Sequence, residues 1–164
     1  MTSLITLIYL YFFSKEKKIY IFFYLYHLFY VLIFYQYIVR NGGDFFAYEE
    51  LSSDASISLA LGSEILLNIL IFLRKFIPYY EINLLFNLSG FISIILFYKI
   101  LKNLGLSKIL LILVCLLPTL HFFTSCVGKD SLVFMGFMMV IYGSIKLNKN
   151  YYRKYFFLII LGSS

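Results

Sequence analysis

Two polar clusters hold most of the side chains in this sequence that can do chemistry. The first reads Arg40-Asn41-Gly42-Gly43-Asp44-Phe45-Phe46-Ala47-Tyr48-Glu49-Glu50. The paired glycines permit a tight turn and set Asp44 at the start of a short helix, just past a long apolar run. A carboxylate close to lipid is partly desolvated, which raises its pKa, and a neighbouring cation pulls it back. Such a group can take a proton from a hydroxyl or bind a divalent cation. The plainer alternative is that Asp44 caps the helix and that Glu49 and Glu50 are hydrated. The second cluster reads Pro118-Thr119-Leu120-His121-Phe122-Phe123-Thr124-Ser125-Cys126-Val127-Gly128-Lys129-Asp130-Ser131. A cation at the outer lip of a membrane, against the usual bias, often has an anionic partner. Here too a plainer alternative stands: a polar turn broken by Gly128, with Asp130 capping the next helix.

Several other patterns carry no chemistry. Gly128-Lys129 is not a P-loop, because Phe123 and Asp130 stand where that motif needs Gly and Ser or Thr. No Cys/His set has zinc spacing. Cys115 and Cys126 would lie about 16 Å apart on one helix, too far to bridge. Asn87-Leu88-Ser89 has glycosylation spacing but falls within an apolar run. His27, on an aromatic-rich run, reads as a packed or hydrogen-bonded residue before it reads as a ligand.

The elements that must position the two clusters follow from composition. Of 164 residues, 62% are hydrophobic and 13% charged, and mean hydropathy is +0.90. A chain this small cannot hide that much apolar surface from water. A soluble globular domain and a disordered chain are both excluded, which leaves an integral membrane protein. The net charge of +6 is dispersed in short clusters between apolar runs, so nucleic acid is not the partner. The expected fold is all-α: a polytopic transmembrane helical bundle with an outer-face loop and an interfacial helix, forming a single domain over 1–164. The expected spans are 19–39, 82–101, 106–123 and 131–147, with the start of another at 155. Residues 40–80 make the outer loop. The chain stops at Ser164 after only seven apolar residues of that last run, which reads as a piece of a longer protein. The segment 1–13 is too short to cross comfortably, and its cations follow the apolar part, the wrong order for a signal peptide.

Direction comes from Lys and Arg. If 19–39 runs outward and 57–77 does not cross, Lys15, Lys17, Lys18, Lys99, Lys102, Lys108, Lys146, Lys149, Arg153 and Lys154 are cytoplasmic. Arg40, Arg74, Lys75 and Lys129 are then outside. A crossing at 57–77 would reverse the bias. That segment has Ile65, Leu66, Ile69, Leu70, Leu73, Phe76 and Ile77 on one broad face and Glu64, Asn68 and Lys75 on the other. It is expected to lie in the outer interface and to end at Pro78.

An outer loop with R-x-G-G-D and a Tyr four residues later, followed by a hairpin of the form P-x-x-x-F-x-x-S-x-x-G-K-D-S, resembles the GT-C-type membrane glycosyltransferases and bacterial polysaccharide polymerases. The EpsG-like and O-antigen-polymerase-like groups are the nearest in pattern. The resemblance covers about residues 19–150. Pro118, Phe122, Ser125, Gly128, Lys129 and Asp130 carry the hairpin. This chain differs in having four spans and a stub instead of about ten, and in lacking Trp. The resemblance implies transfer of sugar from a polyprenyl phosphate or diphosphate donor to a glycan acceptor at the outer face of the cytoplasmic membrane. Asp44 would accept the hydroxyl proton, and Lys129, with Arg40, would stabilise the leaving phosphate. Asp130 would hold Lys129, while Tyr48, Glu49, His121 and Ser125 would contact substrate. No cofactor is implied; a divalent metal is compatible with the acids but has no dedicated ligand set. A non-enzymatic multi-span protein and a transporter or flippase component of envelope glycan export remain the alternatives.

Overall fold

The structure, a computed structural model, describes residues 16–53, 64–147, 160 and 162, and for Asp44 the backbone alone. Among the described residues there are seven α-helices and no strand. They are α1 (Lys17–Asn41), α2 (Asp44–Leu51), α3 (Glu64–Arg74), α4 (Tyr79–Asn103), α5 (Lys108–Cys115), α6 (Pro118–Thr124) and α7 (Lys129–Leu147). The expected extra run at 155 and the segment 1–13 lie outside the described residues, apart from Ile160.

α1, α4 and α7 are long and apolar enough to cross a membrane. At 1.5 Å per residue they measure about 38, 38 and 29 Å, against roughly 30 Å of hydrocarbon. On α1, Phe22, Leu25, Phe29 and Leu32 recur at helical spacing and each is at least half exposed. Val133 and Phe137 do the same on α7. Stripes of this size are stable only against lipid or another apolar surface. The protein is an all-α helical bundle whose apolar helices belong in a bilayer.

Two aromatic cores fix the direction of each helix. Ile38, Phe45, Tyr48, Leu66, Leu70, Tyr79, Ile82, Phe86, Cys126 and Val127 form one. It joins the end of α1, α2, α3, the start of α4 and the turn before α7. Tyr20, Phe23, Tyr24, Phe91, Ile94, Tyr98, Leu111 and Cys115 form the other. Thus α1 and the α5–α6 segment run one way, and α4 runs back. α7 packs parallel to α4 through Leu96, Ile100 and Met138. One end of the bundle carries Lys17, Lys18, Lys99, Lys102, Lys108 and Lys146. There Lys102 pairs with Glu16, and Lys146 lies 5.5 Å from the Tyr142 ring centre. The other end, capped by α2 and α3, carries Arg40, Arg74, Lys75 and Lys129.

Two details differ from expectation. The run 106–123 is not one helix: α5 stops at Cys115 and α6 begins at Pro118. Proline has no N–H and its ring collides with the carbonyl four residues back, so it opens a helix more readily than it sits inside one. On α3 the packed residues are Leu66, Leu67 and Leu70, while Ile65, Ile69 and Phe72, and Phe76 in the turn that follows, stay exposed. The apolar face is wider than the strip that α2 and α4 can cover.

Candidate functional site

The turn after α1 is built from Gly42 and Gly43, with φ of 73° and 148°. Both values lie where side chains with a Cβ are strained. Gly42 N–H closes α1 onto Ile38 O at 2.8 Å. The turn delivers the chain into α2, which is held from two sides. Tyr79 Oη donates to Phe45 O at 2.8 Å, and Arg74 Nη1 donates to Glu49 O and to Ser52 Oγ. Opposite it, the turn before α7 is pinned by Val127 N–H to Asn83 Oδ1 at 2.8 Å and by Ser131 Oγ to Gly128 O at 3.0 Å.

Between the two turns lies a groove of about 370 Å³. Tyr37, Gly42, Gly43, Phe45 and Tyr48 form one wall, and Phe123, Cys126, Gly128, Lys129 and Asp130 the other. The two sequence clusters therefore meet. Gly43 and Phe45, the neighbours of Asp44, both line the groove; the Asp44 side chain is outside what the structure describes. Lys129 and Asp130 are exposed in the first turn of α7. A cation there opposes the positive end of the helix dipole, whereas an anion is favoured. Lys129 makes no ion pair with a described residue, Asp130 included, so the expected Lys129–Asp130 pair is not formed. Burial pushes the Cys126 thiol up to about 11.

Four expected residues lie away from this groove. Arg40 is exposed in the last turn of α1 and does not line it. Glu49 borders a separate hollow with Arg74 and Tyr80. Ser125 is fully buried and donates to Phe122 O at 3.0 Å, leaving no free hydroxyl hydrogen for a substrate. His121 is also fully buried. Its Nε2 lies 2.7 Å from Cys115 O, and its Nδ1 lies 3.1 Å from His27 Nδ1. Tyr26 Oη donates to Leu116 O at 3.2 Å. His121 and Tyr26 thus serve the carbonyls that the helix break at Pro118 leaves without N–H partners.

A second groove of about 370 Å³ runs between α6 and α7, lined by Leu120, Phe123, Val133, Phe134, Phe137 and Asp130. It is mainly apolar and shares Phe123 and Asp130 with the first. Residue types alone did not mark Tyr37, Phe123 and Cys126 as groove residues. The spacing of Phe34 and Tyr37, one turn apart at the end of α1, was the only available signal. Among the described residues no three His, Cys, Asp or Glu side chains gather to hold a metal. Comparison with protein-family models, with curated proteins and with solved structures gives no match.

Proposed function

We propose that the protein is a membrane glycosyltransferase or polysaccharide polymerase that takes sugar units from a polyprenyl-phosphate or -diphosphate donor at the outer face of the cytoplasmic membrane. The observation that carries the reading is the groove itself: clusters 85 positions apart line one depression at one end of an apolar bundle. Its polar half joins an apolar channel between α6 and α7, which suits a ligand with a charged head and a hydrocarbon tail. A sugar hydroxyl needs a base; we assign that role to Asp44, which lies in the chain between the groove-lining Gly43 and Phe45, while Asp130 is the acid in the opposite wall. A departing lipid phosphate gathers negative charge. Lys129 and the N–H groups opening α7 are placed to offset it. Tyr48, largely buried, borders the groove and would help position sugar oxygens there. The orientation with the six described lysines of the opposite end in the cytoplasm follows the positive-inside rule. In membranes carrying the chain, Asp44→Asn and Lys129→Ala should each abolish glycan extension, measured by gel analysis of polyprenyl-linked product, while membrane content stays unchanged. Normal extension in both variants would overturn the proposal. A transport reading draws on the helix broken at Pro118 and the buried polar residues beside it; uptake of labelled substrate without a covalent product would favour it.

A further inference from the structure

His27 and His121 are the only histidines of the chain, and both are fully buried. Each directs Nε2 at a backbone carbonyl: His27 at Asn87 O, 3.1 Å away, and His121 at Cys115 O, 2.7 Å away. Their Nδ1 atoms face each other at 3.1 Å. A carbonyl oxygen only accepts, so both Nε2 atoms carry hydrogen. A neutral imidazole has one N–H. Two neutral rings in this arrangement would bring two bare lone pairs together at hydrogen-bond distance. Shifting one hydrogen to Nδ1 removes that conflict and creates the same conflict at a carbonyl. Three contacts require three hydrogens, and two neutral rings supply two.

We infer that the His27–His121 pair is a proton-binding site, with a third proton held between the two Nδ1 atoms. So loaded, the pair links α1 to the carbonyl of Asn87 on α4 and to the break between α5 and α6. Burial opposes the charge. The groups that meet it are dipolar or aromatic. On α1, the Tyr26 and Tyr30 rings lie 4.7 and 5.7 Å from His121, centre to centre. On α4 the Phe91 ring lies 6.3 Å from His27. On α5 the contact is the Cys115 carbonyl, and on α6 the Thr124 backbone carbonyl also faces His27. Tyr26, Tyr30 and Cys115 are the titratable residues that these contacts bring to the pair; no carboxylate or lysine is among them. With no anion among the described contacts to retain it, the proton is released as pH rises, and one of the three links must then open. Because one of these links satisfies a carbonyl freed at Pro118, proton release loosens either the α1–α6 contact or the break itself.

The wild-type protein, labelled with [15N]histidine in lipid nanodiscs, tests this directly, since every histidine signal belongs to the pair. Below neutral pH, three of the four ring nitrogens should be protonated, with scalar coupling between the two Nδ1 atoms. As pH rises, one protonated signal and the coupling should be lost together. Two protonated nitrogens throughout the interval from about pH 5 to about pH 8, where histidine ordinarily titrates, would overturn the proposal. So would a stoichiometric metal ion whose removal by chelator shifts both Nδ1 signals.

Discussion

At the scale of single residues, the polar interior gives the sharpest expectations. Asn87 is buried, and its Nδ2 has no hydrogen-bond partner among the described residues. Leaving a buried donor unpaired costs about 1–3 kcal/mol. Asn87→Leu removes the donor while keeping the branching and heavy-atom count of the side chain, and keeps the backbone carbonyl that His27 uses. It should raise stability by roughly that amount, read by equilibrium unfolding in mixed micelles. A fall in stability would mean that the amide is satisfied. Cys126 gives a second expectation. Because burial pushes its thiol up to about 11, above the range of an ordinary thiol, the thiolate is scarce at neutral pH. Alkylation by iodoacetamide, followed by peptide mass spectrometry, should keep rising about tenfold per pH unit beyond the range where an ordinary thiol levels off. A plateau near the ordinary value would contradict the burial. This scale was also the least legible in the sequence. Residue type singled out Lys129 and Asp130, polar groups beside a helix start, and both line the groove. It misplaced His121 and Ser125, whose direction depends on a helix break and on carbonyls contributed by other turns. The His27–His121 contact joins residues 94 positions apart, and no local pattern announces it.

Among the elements, the close approach of α4 to α6 is the most exposed to test. A Cβ at Gly90 would overlap the Thr124 backbone carbonyl and sit 2.8 Å from Thr124 Cβ. Alanine gains about 1 kcal/mol over glycine in a helix, but overpacking against backbone costs about 1–3 kcal/mol. The obstacle cannot rotate away, so Gly90→Ala should destabilise by up to about 2 kcal/mol in the same unfolding assay. A stabilised variant would show that α6 moves freely. Small residues matter more in membranes, where close backbone packing replaces the hydrophobic drive between helices. The long helices were readable because an apolar run bounded by charges has few other fates in this composition. The α5–α6 break was half readable: Pro118 marked a distortion, but not that a new helix begins there. The width of the apolar face on α3 was readable, whereas the strip of it that packs was not, since that depends on how much of it α2 and α4 cover.

For the whole molecule, charge and packing together define two ends. At the lysine-rich end, the Lys102 ammonium holds the Glu16 carboxyl below its usual value. A carboxylate with a depressed pKa stabilises the folded state above its unfolded value of 4.5; that contribution fades as pH falls through the folded value. Both partners are solvent-accessible, so the pair is worth under about 1 kcal/mol. Glu16→Gln should therefore flatten the acid limb of the stability curve by no more than that. At the capped end, the central claim is that the turn after α1 and the turn before α7 form one groove. Its most direct measurement is cross-linking in membranes of the double variant Tyr48→Cys, Lys129→Cys, in a Cys126→Ala background, with a short bis-maleimide. The two cysteines should be joined within one chain, giving a single bridged species by mass spectrometry. Efficient single labelling at each site without any bridge would contradict a shared groove.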